Sequence, residues 1–354
     1  MKFSIAVNLE RTDAARDMRT VARNAVELEK LAEQGGFEIA WAQEHHTIEL
    51  SAAPNPFTIL MNWAANTSRI RLGVGVVVAP YWHPLRVAGE AALFDVFTDG
   101  RLELGFGRGA FQYEFNRMAG GIDQKEGGRH LREMMPLVLQ LWQGDVAHDG
   151  AIWQFPAATS VPKPLQTPRP PIWVAARDPD TFLWAMKNGA NIMATPLSKP
   201  HAEVAVLGQR FADTLAQLPG IPRPRFLMLR RCCVYAGAGD WTLPVEASIA
   251  YGLSFENLFS NVGVIRNGFP EPARLSDVAA PENYTAEAIR ESMVFGTPDQ
   301  VVAKLRDYEA AGVDSFCYGA SFGLPHAVAM RSLELFITEV MPHFADTGAA
   351  PMAA

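Results

Sequence analysis

Residues 36–42, Gly-Phe-Glu-Ile-Ala-Trp-Ala, form a short apolar run that ends just before a polar triplet, Glu44-His45-His46. The run has the length and composition of a buried strand, and the glycine at its start ends a preceding helical pattern. In parallel α/β proteins, functional side chains lie at the C-terminal ends of the strands. The triplet is therefore placed where such a fold carries out its chemistry.

The same unit, a short apolar strand followed by a helical pattern, recurs along the whole chain. Strict alternation predicts parallel strands joined by crossover helices. Eight such units predict an α/β fold, a (β/α)8 TIM barrel with insertion loops at the C-terminal face of the strands. A doubly wound sheet is the alternative, weakened because no Gly-x-Gly-x-x-Gly turn follows the first strand. The predicted strands are 3–9, 37–42, 70–78, 101–106, 172–175, 191–195, 226–235 and 313–318.

Two stretches interrupt the alternation. Pro-rich residues 156–171 predict a loop. Residues 261–292 lack a clear period, and a loop of that length is commonly a lid or a mobile segment. We therefore expect a single domain over residues 1–344, with a mobile lid at 261–292 and a flexible tail at 345–354. The predicted helices are 20–34, 56–66, 85–97, 128–142, 180–188, 199–217, 240–259, 298–311 and 325–340.

Composition excludes several classes of partner. The 354 residues carry a formal net charge of −7 and no long basic run, which argues against nucleic acid and anionic membranes. No run of about 18 apolar residues is present, so no membrane span is expected. The three cysteines, Cys232, Cys233 and Cys317, have neither a disulfide framework nor metal-ligand spacing. We expect a cytoplasmic protein without a bound metal.

The histidine pair has two interpretations. An imidazole supplies a general acid or base near neutral pH, or a donor to an anion, so His45 and His46 are candidate catalytic residues. Alternatively, the triplet only caps a strand and satisfies loop backbone groups. Glu44 could orient one of the histidines through a charge-assisted hydrogen bond.

Two further motifs follow predicted strands. In residues 105–111, Gly-Phe-Gly-Arg-Gly-Ala-Phe, the glycines permit close approach of a ligand and Arg108 offers a fork for a phosphate or a ring edge, unless it pairs with Glu114. In residues 175–181, Ala-Ala-Arg-Asp-Pro-Asp-Thr, Asp178 or Asp180 could cap a helix. The N-terminus of that helix is a candidate anion site, to which Arg177 and Thr181 could add donors.

Taken together, in this order and spacing, these motifs resemble the bacterial luciferase-like flavin-dependent monooxygenases, of which alkanal monooxygenase is the type. The resemblance runs nearly from end to end, although each match is short. It rests on Met1-Lys2-Phe3, Gly36-Phe37 through Trp41 to Glu44-His45-His46, Asn55-Pro56, Pro80, His83-Pro84, Arg86, Asp99-Gly100-Arg101, Gly105-Phe106, Arg108-Gly109, Glu114-Phe115, Gly296-Thr297-Pro298 and Met341-Pro342.

The resemblance implies an activity as well as a fold. It implies a homodimeric barrel that receives reduced FMN (FMNH2) from a separate flavin reductase and activates O2 as a C4a-hydroperoxyflavin. The substrate would be a small apolar or carbonyl organic molecule. Segment 261–292 resembles the mobile loop of the family, which would keep water away from the reaction.

The resemblance also assigns residues. His45 would act as acid or base near the flavin, and His46 and Glu44 would support it. Arg108 would lie near the flavin ring or phosphate. A non-prolyl cis peptide at Gly75–Val76 would shape the flavin face. The phosphate-binding turn would be formed by Ala176, Arg177, Asp180 and Thr181.

Two other functions fit the same barrel. One is an oxidoreductase that uses the deazaflavin F420 and needs no O2. The other is a non-catalytic, flavin-binding partner subunit. The retained His45 and Arg108 argue against the silent subunit.

Overall fold

The computed structural model describes residues 1–260 and 263–345. Residues 261 and 262 of the predicted lid, and residues 346–354 of the predicted tail, lie outside the described residues.

Eight parallel strands form a closed barrel, in which each strand pairs with its neighbours in the chain and the last pairs with the first. The predicted TIM barrel is confirmed, and every predicted strand is present. The barrel strands are β1 (Lys2–Ala6), β2 (Ile39–Ala42), β3 (Arg71–Val78), β4 (Leu102–Gly107), β5 (Ile172–Ala175), β6 (Asn191–Ala194), β7 (Phe226–Val234) and β8 (Ser315–Gly319).

Helices surround the barrel and bury their apolar faces against the strands. They are α1 (Met18–Gln34), α2 (Pro56–Ala64), α3 (Pro84–Phe97), α4 (Gln112–Met118), α5 (Gly127–Gln143), α6 (Pro179–Lys187), α7 (Glu203–Ala216), α8 (Thr242–Ser260), α9 (Ala286–Ser292), α10 (Pro298–Ala310) and α11 (His326–Leu335). A π-helical turn at Phe336–Val340 follows α11, within the range predicted as helix.

The interior of the barrel is filled by side chains. The indole rings of Trp41 and Trp173 meet edge to face with centroids 5.5 Å apart. The indole nitrogen of Trp173 donates to Glu103, 2.6 Å away, and Glu103 also accepts from Arg71. Ala6 packs with the two indoles in this interior cluster. Since this cluster occupies the inside, an open site can form only at an end of the barrel.

Long connections leave the C-terminal ends of the strands, as predicted. Residues 43–55 follow β2, residues 108–126 with α4 follow β4, and residues 235–293 with α8 and α9 follow β7. These connections build the mouth of the barrel.

Some elements were not predicted. Helices α4 and α9 have only seven residues each, too few to produce a clear helical period. The loop prediction from residue 156 is wrong at its start, because Gln154–Ala158 pairs antiparallel with Val146–Asp149. The carboxylate of Glu133 on α5 accepts from two backbone amides in the turn of this hairpin, which is a tertiary contact that no local pattern reveals.

The segment predicted as a lid contains structure of its own. Its strands Ile265–Arg266 and Phe269–Pro270 form a short hairpin, and α9 precedes a strand, Val294–Gly296, that pairs with the end of β7. These elements are two to seven residues long, so they left no periodic signal in the sequence.

Glu29 gives a test of the packing around α1. Its side chain is completely buried, neither carboxylate oxygen has a hydrogen-bond partner among the described residues, and burial raises its pKa well above the ordinary value. In the native state Glu29 therefore keeps its proton at pH values where the unfolded chain has lost it, so stability falls as the pH rises above about 4.5. We expect Glu29→Met to raise the free energy of unfolding by about 2 kcal/mol at pH 8 and by less at pH 5.

Denaturant unfolding at both pH values measures this effect. Glu339→Met, at an exposed position on the last helical turn, is the matched control and is expected to change little. A Glu29→Met protein that is less stable at both pH values would mean that the carboxyl group has a native partner.

Candidate active site

His45 lies at the C-terminal end of β2 and is held by a residue from another connection. Its Nδ1 lies 3.2 Å from Oε1 of Glu114 on α4, and the same oxygen accepts from the backbone amide of His46 at 2.7 Å. Because a carboxylate only accepts, Nδ1 carries the hydrogen in this contact. The other ring nitrogen, Nε2, has no hydrogen-bond partner among the described residues. It can take up or release a proton at the mouth.

Glu44 and His46 form a separate, buried pair. His46 Nε2 lies 2.7 Å from the carboxylate of Glu44, which also accepts from the amide of Val78 at 2.7 Å and the indole of Trp82 at 2.8 Å. Burial raises the pKa of Glu44, and the hydrogen bonds from these three donors oppose the rise. The prediction that Glu44 orients a histidine is confirmed, and the histidine is His46.

The three predicted catalytic residues therefore lie together but face different surroundings. The imidazole of His46 packs edge to face on Tyr81, with ring centroids 5.3 Å apart. The side chain of His45 remains 16% exposed and adjoins a cavity of about 400 Å³ lined also by Thr47, Tyr113 and Asn267. Within the triplet, His45 is the residue best placed to meet a ligand.

Aromatic side chains surround His45 on the side of the mouth. The ring centroid of Phe111, at the start of α4, lies 5.3 Å from that of the His45 imidazole, and the ring centroid of Phe255 on α8 lies 6.2 Å from it. Phe259, one turn further along α8, meets Phe111 edge to face at 4.7 Å. These rings form an apolar wall that suits a planar organic molecule.

Glycines on β3 and β4 allow neighbouring groups to pack closely against these strands. The Gly75–Val76 peptide is cis, as the resemblance implies. A Cβ atom on Gly107 would collide with the side chain of Val76, and one on Gly105 would collide with the carbonyl oxygen of Val74. The absence of these Cβ atoms therefore makes room for Val76, and we call this surface the β3–β4 wall.

Two arginines lie at the ends of β4 and β5. The pKa of Arg177 is lowered, first by burial and then by the nearby positive charge of Arg108. Neither guanidinium has a carboxylate within 4 Å among the described residues. The pairing of Arg108 with Glu114 that the sequence left open is not formed, since Glu114 contacts His45 instead. Asp178 and Glu203 oppose part of this positive charge electrostatically, but neither pairs directly with the two arginines, whose guanidinium groups can therefore donate to an anionic ligand.

The turn after β5 caps α6 as predicted. Asp178 accepts from the amide of Thr181 at 2.8 Å, and Pro179 is the first helical residue. The amide of Ala176 is also occupied, since it donates to the carbonyl of Met193. Asp180 is exposed in the first turn of α6. An anion at this place would therefore depend more on the arginine side chains than on free helix amides.

Sequence reasoning missed the contact that holds His45 and most of the aromatic wall. Glu114 was noted only as part of the family motif and as a possible partner of Arg108. Phe255 lies in a predicted helix, but nothing in the sequence placed that helix over the mouth. No group of three or more potential metal ligands occurs in residues 1–260 and 263–345.

A closed eight-stranded barrel with a histidine and two arginines at its C-terminal mouth defines a TIM-barrel enzyme. The luciferase-like monooxygenase family model matches residues 1–315. The chain is 39% identical over 347 residues to the oxygenase component of the flavin-dependent trigonelline monooxygenase of Acinetobacter baylyi, covering 98% of this chain and 96% of that protein. The chain belongs to the luciferase-like monooxygenase family.

Solved structures share the fold. The monooxygenase RslO1 from Streptomyces bottropensis is 27% identical, with a TM-score of 0.78, over 98% of this chain and all of that chain. An F420-dependent secondary alcohol dehydrogenase in complex with an F420-acetone adduct has a TM-score of 0.74 at 15% identity, over 96% and 98% of the two chains. This second likeness concerns the fold alone. The protein is a flavin-dependent monooxygenase, and the family predicted from its sequence is confirmed.

The Glu114–His45 contact gives a test of the site. We expect Glu114→Ala to lower turnover by about tenfold or more, because the imidazole loses the carboxylate that fixes its orientation. Glu114→Gln keeps an acceptor oxygen in the same place and is expected to retain more activity than Glu114→Ala. Product formation per unit time, with flavin binding measured in parallel, checks both variants.

Glu126→Ala, an exposed carboxylate close to α5, is the control and should leave turnover unchanged. Equal activity of the wild type and Glu114→Ala would remove Glu114 from the site. Loss of flavin binding in Glu114→Ala would mean that the carboxylate holds the fold of the mouth rather than the histidine.

Proposed function

We propose that this chain is the oxygenase component of a two-component system, which binds reduced FMN delivered by a separate flavin reductase and uses O2 to oxygenate a small organic molecule. The observation that carries the proposal is the pair Arg108 and Arg177 at the ends of β4 and β5, at the mouth that also contains His45. The 39% identical relative named an oxygenase component supports it.

The residues at the mouth fit FMN. The planar ring system would lie against the β3–β4 wall at Gly75 and Val76. The guanidinium groups of Arg108 and Arg177 would hold the terminal phosphate, beside the turn that contains Ala176, Asp180 and Thr181. Bound reduced flavin supplies the electrons that activate O2. The residues of the chain orient the ring, exclude water and hold a proton at Nε2 of His45.

The proposed substrate is a small, planar organic molecule. It would lie against Phe111 and Phe255, within reach of His45. The rings of Phe111 and Phe255, with centroids 5.3 and 6.2 Å from that of His45, support this placement. The name of the relative from Acinetobacter baylyi gives trigonelline as the substrate of that protein. A compact aromatic ring of that kind fits the aromatic wall of this chain.

We propose that residues 261–292 act as a lid on a single domain of residues 1–344. The carbonyl of Gly268, at the tip of the hairpin, accepts from the amide of Glu49 at 2.7 Å. Arg11 pairs with Glu49 and lies over the ring of Phe269, 5.5 Å from its centroid. These few polar contacts hold the hairpin against the loop that follows His45. They are easily broken and remade, which supports a gate for substrate.

We also propose a homodimer and a cytoplasmic location. Met61 of α2 and Leu93, Val96 and Phe97 of α3 are apolar and more than a third exposed, and Phe97 is 63% exposed. Leu93, Val96 and Phe97 share one face of α3. An apolar stripe of this kind supports an interface with a second copy.

No helix among the described residues is long and apolar enough to cross a membrane. The buried thiols of Cys232, Cys233 and Cys317 are compatible with a reducing compartment.

Flavin binding and reaction with O2 test the proposed activity. We expect FMN to bind at least tenfold more tightly than riboflavin, because riboflavin lacks the phosphate that two charge-assisted contacts would hold. The variant Arg108→Met/Arg177→Met should bind FMN and riboflavin equally. Stopped-flow mixing of the reduced-FMN complex with O2 should show a flavin absorbance distinct from that of oxidised and reduced FMN, which decays faster with substrate.

Arg129→Met, an exposed arginine on α5, is the control for general effects of charge. Tight binding of F420 without binding of FMN would replace the proposal with the F420-dependent oxidoreductase. Binding of FMN with reoxidation no different from that of free reduced FMN would favour a non-catalytic subunit.

The apolar stripe on α3 tests the homodimer. We expect the protein to have the mass of two chains in solution, and Phe97→Glu to give the mass of one chain, since a charge in the centre of an apolar interface opposes association. Light scattering after size-exclusion chromatography measures the mass. Val206→Glu on α7, 47% exposed at the starting valine, is the matched control and should leave the mass unchanged. A dimer that survives Phe97→Glu would place the interface elsewhere.

A further inference from the structure

A polar cluster lies at the ends of β1 and β7, beneath α8. It consists of Asn8, Glu10, Arg231 and Tyr251. Asn8 Nδ2 lies 3.1 Å from the hydroxyl of Tyr251, and the guanidinium of Arg231 lies over the same ring, 5.0 Å from its centroid. In an eight-stranded barrel β1 lies opposite β5 and β7 lies two strands from it, so this cluster is separate from the proposed phosphate site.

Several polar atoms of the cluster lack partners. Glu10 is 8% exposed, and one of its oxygens accepts from the amide of Gly323 at 2.8 Å. Its other oxygen, Oε2, and Oδ1 of Asn8 are buried without a hydrogen bond among the described residues. Leaving such atoms unpaired costs about 1–3 kcal/mol each. These unpaired atoms leave hydrogen-bonding positions that a ligand could fill.

The guanidinium of Arg231 has nitrogens that make no hydrogen bond among the described residues. Its Nη1 donates to the carbonyl and the hydroxyl of Ser248, at 2.9 and 2.8 Å. No carboxylate lies within 4 Å of its guanidinium in the described part of the chain, although Glu10 is close enough to interact with it electrostatically. The nitrogens Nε and Nη2 therefore offer the fork that binds a carboxylate with two hydrogen bonds.

Glu10 does not prevent an anion from binding there. Burial raises the pKa of Glu10 to about 7, against the opposing effects of the Gly323 amide, Arg16 and Arg231. Below that pH the carboxyl group is protonated and uncharged, and it can donate its proton in a hydrogen bond. A carboxylate between Arg231 and Glu10 would then receive donors from both sides.

The cluster is continuous with the aromatic wall beside His45. Tyr251 and Phe255 are one turn apart on α8, with ring centroids 4.8 Å apart, and Phe255 adjoins His45. One helical turn advances about 6 Å, roughly the length of a single aromatic ring with one substituent. A ring lying on this wall with one edge at His45 would have its substituent at Arg231.

We propose that Arg231, assisted by Glu10 and Asn8, binds the carboxylate of a small aromatic acid, which is the substrate of this enzyme. This inference rests on the proposed function, because it gives the chemical class of substrate for the same mouth. Arg231 holds the acid at its carboxylate end, so that the ring, and not the carboxylate, faces His45.

Calorimetric titration of the FMN-loaded protein with nicotinate and nicotinamide tests the proposal. The two probes share one planar ring and differ only in a carboxylate or its neutral amide. Nicotinate is expected to bind at least tenfold more tightly than nicotinamide at pH 6. Arg231→Met should weaken nicotinate by at least tenfold and leave nicotinamide unchanged, whereas Arg231→Lys should weaken nicotinate less. Arg331→Met, exposed on α11, is the control.

The pH dependence gives a second readout that a merely structural role would not produce. Nicotinate should bind more weakly as the pH rises from 6 to 8, because Glu10 loses the proton that it donates and gains a charge that repels the ligand. Glu10→Gln keeps a donor at all pH values and should remove that dependence. Equal affinity for the two probes, or an unchanged nicotinate affinity in folded Arg231→Met, would overturn the proposal.

Failure of this inference can be told apart from failure of the proposed function. Binding of nicotinate through Arg231 without any reaction of reduced FMN with O2 would support the carboxylate site and contradict the monooxygenase mechanism. Flavin-dependent O2 activation with no preference for nicotinate would support the mechanism and contradict the carboxylate site.

Discussion

The buried carboxylate of Glu44 is the constraint on which the geometry of the mouth depends. It accepts hydrogen bonds from His46, from the amide of Val78 at the end of β3, and from the indole of Trp82. A charge in this position would be costly without donors, and the three donors offset part of that cost. The ends of β2 and β3 are thereby fixed relative to each other. His45 follows Glu44 directly in the chain, so the contacts of the buried Glu44 side chain also fix the position of His45.

Two places at the mouth differ in the number of arginines and in the nearby carboxyl groups. At β4 and β5, Arg108 and Arg177 lie close together with no carboxylate within 4 Å in the described part of the chain, although Asp178 and Glu203 act on Arg177 electrostatically, and this is the side at which we propose the phosphate. At β1 and β7, one arginine lies near a carboxyl group that burial keeps protonated up to about pH 7. That arrangement favours a single, weaker anion. His45 lies between the two, beside the aromatic rings of α4 and α8.

The sequence predicted the fold better than it predicted the contacts of the site. Each barrel strand is a compact apolar run bounded by turn residues, so all eight were found, and the strand ends located His45, Arg108 and Arg177. The contacts that the sequence did not reveal join residues that are far apart in the chain. Glu114 reaches His45 across 69 positions of the chain, and its helix is too short to leave a period. The cluster joins Asn8 and Glu10, near the start of the chain, to Arg231 on β7, and none of the three stood out as a motif.

Glu10 shows how a buried carboxyl group can contribute to ligand recognition at a cost in the stability of the fold. A buried carboxyl group with one free oxygen weakens the fold, and the cost grows as the pH rises from the ordinary pKa of glutamate towards about 7. Glu29 carries a similar cost, but it sits on the packed face of α1, away from the mouth. Glu10 instead lies near Arg231, with its free oxygen in a polar cluster that adjoins the aromatic wall. A ligand that brings an acceptor to that oxygen recovers part of the cost on binding. The energy stored in the unliganded site then contributes to selectivity for an acid over its neutral analogue.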